Sequence, residues 1–167
     1  NLKHVFSISP ALDPYKSTRC IDESLPFYRL YFLKKWKRSL RKKQAIFPEK
    51  YDFNGVLNHR TCMGLTEAMM PWYPQFTDCR SYFKRYTLLD GAFRDLSIPV
   101  TVFASEDDPF IPVEDFLRLE RNSRLQLLIQ RYGGHCGFLE FFPYDCWYER
   151  MIERIIRKES EGDGRRP

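Results

Sequence analysis

Two short stretches hold the residues best suited to chemistry. His135 stands in Gly133-Gly134-His135-Cys136-Gly137-Phe138, and a pair of acids stands in Ser105-Glu106-Asp107-Asp108-Pro109. A histidine set among glycines has a backbone freed from the usual steric limits, so a sharp turn can present its ring. A carboxylate beside such a ring fixes the imidazole tautomer and stabilises its cation, which is the second half of a nucleophile-base-acid triad.

For the two stretches to meet, the chain between them must return to the same place. Ile98 to Ser105 is a continuous apolar, β-branched run ending at the acids, and Leu125 to Gln130 is a second run ending just before the glycines. Strands buried on both faces, each followed by a polar loop and a helical pattern, predict a parallel α/β sheet. Working groups in such sheets lie beyond the carboxyl ends of the strands, where both Asp108 and His135 fall. Asp107 or Asp108 could instead cap the helix expected over Val113 to Arg121 or its preceding turn, but the glycine-flanked histidine after the next strand favours the catalytic role.

Ser105-Glu106-Asp107-Asp108-Pro109-Phe110-Ile111-Pro112 followed by Gly133-Gly134-His135-Cys136-Gly137-Phe138 resembles the closing segments of α/β-hydrolases, most closely the YheT-like branch. Ser81-Tyr82-Phe83 and Leu96-Ser97-Ile98-Pro99-Val100 look like that family's run into the acid-bearing strand. The resemblance implies Asp108 as the triad acid, with Asp107 the alternative, and His135 as the triad histidine. It also implies hydrolysis of carboxylic esters, acyl lipids among them, without a cofactor. The family's serine sits on a G-x-S-x-G elbow ahead of the acid, and no serine here has glycines two residues to either side. The expectation is therefore the C-terminal part of a hydrolase, inactive alone, whose sheet edge is covered by the missing N-terminal half or by another chain.

A chain of 167 residues that is 43% hydrophobic and 16% aromatic can bury one real core. It has no uncharged apolar run long enough to span a membrane. Five scattered cysteines suggest reduced thiols in the cytoplasm, with Cys136 a buried, inert neighbour of the histidine. With no C-x-x-C, and with His4, His59 and His135 off ligand spacing, no metal is expected.

The elements expected in chain order begin with a short strand over Val5 to Ser9, which would form one contiguous sheet edge with the two later strands. A main helix is expected between Ile21 and Gln44, N-capped by Asp22 or Ser24. It carries a stripe of Tyr28, Phe32, Trp36 and Leu40, with Leu25 and Leu33 nearby. Its other faces hold Lys34, Lys35, Lys37, Arg38, Arg41, Lys42 and Lys43. This block is read first as a solvated face and second as a contact for an anionic membrane surface. Net charge of +5 without a recognition motif argues against nucleic acid. Residues 45–80 read as short helices and loops, and about 21–80 as a helical, cap-like insertion whose methionines and aromatics could line an acyl pocket. Trp147 to Lys158 reads as an amphipathic helix closing a domain over 1–158, and 159–167 as a flexible polar tail. Rival functions for the chain are a non-catalytic interaction module or a membrane-peripheral lipid-binding protein.

Overall fold

The computed structural model describes residues 2–141 and 145–163. Three strands, β1 (Val5–Ile8), β2 (Val100–Ser105) and β3 (Leu125–Gln130), form a parallel sheet in the order β1-β2-β3. All six residues of β2 are buried. The β-branched run Val100-Thr101-Val102-Phe103 suits a central strand covered on both faces. Pairing of Ser105 with Gln130 closes the β2–β3 ladder, so the loops that follow leave the sheet side by side. Among the described residues β1 is paired on its β2 side alone.

Between β1 and β2 the chain runs through α1 (Pro14–Glu23), α2 (Pro26–Ile46), α3 (Cys62–Met69) and α4 (Cys79–Lys84). The single helix expected over 21–44 is therefore two. Leu25 precedes a proline, which disfavours helical backbone, and adopts φ −52°, ψ 140° as the N-cap of α2. Neither Asp22 nor Ser24 caps α2. The Ser24 hydroxyl donates to Ile21 O at 2.6 Å and closes α1. The Asp22 carboxylate instead accepts from Cys62 N at 2.7 Å and Met63 N at 2.8 Å, satisfying the first amides of α3 some forty residues on.

The aromatic stripe of α2 faces inward as expected. Leu33 and Leu40 are buried, and Tyr28, Phe32 and Trp36 pack partly buried against the core. Leu25 does not join them and is 61% exposed. In the stretch hardest to read from sequence, Phe53 is wholly buried between the rings of Tyr51 and Trp72, at centroid distances of 5.3 and 5.0 Å.

After β2 come the short α5 (Val113–Leu117) and β3. An antiparallel pair follows, β4 (Leu139–Phe141) with β5 (Asp145–Cys146), and then α6 (Trp147–Asp163). This pair is absent from the sequence reading. Helix α6 continues through residues 159–163, placed in the expected tail, and residues 164–167 of that tail lie outside the described residues. Glu159 helps to hold α6 on the sheet. His4 Nδ1 lies 2.7 Å from Glu159 Oε1 and His4 Nε2 2.9 Å from Thr101 Oγ1, with the ring stacked on Phe6.

The dual amide contact of Asp22 ties α1 to α3. Asp22→Ala should lower unfolding free energy by about 1–3 kcal/mol, the range for stranding charge-assisted partners. Urea denaturation reads this directly, and an unchanged midpoint would mean that water replaces the carboxylate without loss.

Candidate active site

The loops beyond β2 and β3 interlock through two adjacent carboxylates that turn opposite ways. Asp107 Oδ1 accepts from Gly133 N at 2.9 Å and Gly134 N at 2.8 Å. Those two amides, with Gly134 the leading cause, hold the Asp107 carboxyl below its ordinary value. Ser105 completes the clasp by donating its hydroxyl to Gly134 O at 2.8 Å.

Asp108 has a different task. Its Oδ1 accepts from Phe110 N at 2.9 Å and Ile111 N at 3.1 Å, which locks the carboxylate on its own turn. Its Oδ2 then faces His135 Nδ1 at 2.9 Å. The Asp108 side chain is 2% exposed and that of His135 is 32% exposed. An ionised carboxylate can only accept, so the hydrogen lies on Nδ1 and the neutral ring keeps its lone pair on Nε2. Among the described residues nothing hydrogen-bonds Nε2. The result is an oriented base with one nitrogen held and the other open. Of the three residues singled out in the sequence, Asp108 and His135 are thus brought together, and Asp107 is given to the backbone.

The turn that carries His135 is tightly drawn. Gly134 has φ +54°, and Cys136 and Phe138 also occupy the left-handed region at φ +66° and +49°. Gly137 N and Phe138 N both donate to Gly133 O, at 3.1 and 2.9 Å. Phe138 is buried against Trp147 and Tyr148 of α6. On the other side, Ser9 Oγ accepts from Cys136 N at 3.2 Å, so the turn also rests on the end of β1. Cys136 itself is exposed rather than buried: its thiol lies at the rim of the sheet, with Sγ 3.8 Å from Ile8 O, while Phe138 fills the core beneath the turn.

Phe110, part of the acid-bearing motif, also borders the site. Its ring meets His135 edge-on at 5.2 Å, and Tyr28 and Phe32 of α2 meet it edge-on at 5.0 and 5.2 Å. Nothing local predicts these contacts, which join segments about eighty residues apart. An apolar cavity of about 240 Å³ lies elsewhere, between α2, α3 and α4, lined by Trp36, Leu40, Leu65, Met69 and Phe83 among others. Burial, reinforced by Asp22, pushes the nearby Cys62 thiol up to about 12, which leaves it without thiolate character near neutral pH. Among the described residues no group of three or more His, Cys, Asp or Glu side chains is placed to hold a metal ion.

No family model matches the chain. It is 28% identical over 163 residues to Protein ABHD15 of Homo sapiens, an alignment covering 92% of this chain and 33% of that protein. It is 27% identical over 139 residues to Phospholipase ABHD3 of Mus musculus, covering 74% and 31%. The chain spans about a third of the length of these curated relatives. Both are α/β-hydrolase-domain proteins, and the likeness supports that superfamily. The three-stranded parallel sheet with its flanking helices is consistent with part of that fold.

Two outcomes test the clasp. A Cβ at Gly133 would lie 2.6 Å from Phe138 Cδ1 and 3.0 Å from Ser105 Cβ, so Gly133→Ala should destabilise by about 1–3 kcal/mol in thermal or urea unfolding. Because the folded pKa of Asp107 is lowered, its contribution is present above the unfolded carboxylate value of about 3.9 and is lost as pH falls through the folded value. Asp107→Asn should flatten that acid limb of the stability curve. Identical limbs in the two proteins would show that the amide contacts do not stabilise the fold.

Proposed function

We propose that this chain supplies the acid and histidine of a serine hydrolase, related to the YheT-like branch, that cleaves carboxylic esters. The observation that carries the proposal is the Asp108–His135 hydrogen bond at the carboxyl ends of adjacent parallel strands. In this reading the nucleophilic serine and the oxyanion-binding amides come from polypeptide outside these 167 residues, and the chain alone is inactive. Acyl lipids are the proposed esters, on the strength of the likeness to a protein named as a phospholipase.

Each step follows from the open nitrogen of His135. Its Nε2 takes the serine proton as the oxygen attacks the ester carbonyl, and Asp108 stabilises the imidazolium through Nδ1. The same proton passes to the alcohol oxygen as it leaves. Nε2 then takes a proton from water, whose oxygen attacks the acyl carbon; the bond to the serine oxygen breaks, that oxygen takes the proton back from Nε2, and the acid is released. Asp108 can hold the ring through both rounds because its other oxygen is fixed by two backbone amides.

The test uses the longer polypeptide containing the serine, assayed on a p-nitrophenyl ester and on dispersed phosphatidylcholine. His135→Ala should lower kcat/KM by about 10⁵-fold and Asp108→Asn by about 10⁴-fold, as for triad members generally. Asp107→Asn should leave turnover within a few-fold. Activity of the His135 variant within tenfold of the parent would refute the assignment. Failure of the longer polypeptide to take up a fluorophosphonate would point instead to a non-catalytic module.

A further inference from the structure

Helix α2 has a second face that the fold does not use. Opposite the buried stripe, Phe27, Leu30 and Tyr31 are 58%, 60% and 56% exposed. Large apolar side chains grouped on one surface mark contact sites more often than accident. The same outward stripe continues along the helix as Lys34, Lys35, Arg38, Arg41 and Lys42, all exposed. Helix α2 contains no acidic residue, and among the described residues no carboxylate pairs with these five cations. Lys43, by contrast, is turned inward, with Nζ 2.7 Å from the Tyr73 hydroxyl and over the Tyr51 ring.

Rings and aliphatic groups beside a run of cations without carboxylate partners, Lys35 lying over the Tyr31 ring at 5.3 Å, complement a surface that offers both anionic groups and hydrocarbon. A solvated protein acid or a nucleic-acid backbone offers the charge without the apolar layer. The placement adds to this. Tyr28 and Phe32, on the inner side of the same turns, contact Phe110, and Phe110 contacts His135. A surface touching Phe27, Leu30 and Tyr31 therefore lies about one helix diameter, roughly 10 Å, from the aromatic group that borders the histidine.

We infer that the outward face of α2 docks the protein on an anionic phospholipid bilayer, with Phe27, Leu30 and Tyr31 entering the interface and the cations meeting the headgroups. The binding belongs to the helix face and is read without turnover, so its failure and the failure of the ester reading are separate results.

Co-sedimentation with extruded vesicles tests it. The chain should bind vesicles of phosphatidylcholine with one-third phosphatidylserine, weakly or not at all phosphatidylcholine alone, and should be released by high salt. Lys34→Gln, Lys35→Gln and Arg38→Gln together should weaken partition by about a hundredfold, at roughly fivefold per cation. Phe27→Ser with Leu30→Ser should weaken it while leaving the salt dependence. All five positions are exposed, so far-UV circular dichroism should match the parent. Equal binding to neutral vesicles, indifference to the charge substitutions, or equal competition by soluble polyglutamate or DNA would overturn the inference.

Discussion

The parallel register of β2 with β3 is the constraint on which the site depends. Because Ser105 pairs with Gln130, the residues after each strand emerge at the same level, and Asp107 meets the Gly133 and Gly134 amides directly. All six positions of β2 are buried, so this ladder lies in the core of the sheet. The carboxylate pair then divides its work by geometry. One acid ties the histidine turn to the sheet and the other meets the ring. The left-handed backbone at Cys136 and Phe138 persists because that turn is held from three sides, by Asp107, by Ser9 and by the burial of Phe138.

Helix α2 has two faces with different dependencies. Its inner face fills the core with Leu33 and Leu40 and reaches Phe110 through Tyr28 and Phe32. The edge-on rings from α2 through Phe110 to His135 make the helix part of the wall around the imidazole. Any shift of α2 along its axis must be felt there, since close-packed aromatic contacts leave little slack.

Much of this was legible in the sequence where a local pattern and the tertiary demand agree. The three strands are short, mainly apolar runs, although only β2 is buried along its whole length, and the glycines around His135 announce a turn that needs them. What could not be read depended on distance. Asp22 looks like a local cap, yet its carboxylate serves α3 because the fold brings Cys62 and Met63 to it. Asp107 and Asp108 are chemically identical neighbours, and only the amides each one meets distinguish them. The β4–β5 pair is too short to stand out from a run of phenylalanines, and its first strand follows Phe138, whose carbonyl accepts from Trp147 N. The break between α1 and α2 was readable: Pro26 disfavours a helical Leu25, a local rule that the longer aromatic periodicity obscured.

The pairing of β1 with β2 has a consequence for chain entropy. About ninety residues lie between the two strands, and closing such a loop opposes pairing by roughly 4 kcal/mol. At about 1 kcal/mol for each net hydrogen bond, a four-residue strand returns little more than that. The β2–β3 connection is several times shorter and carries a smaller penalty. Strand β1 therefore owes its place to the helices that shorten the gap, so its persistence reports on how well α1 to α4 are packed.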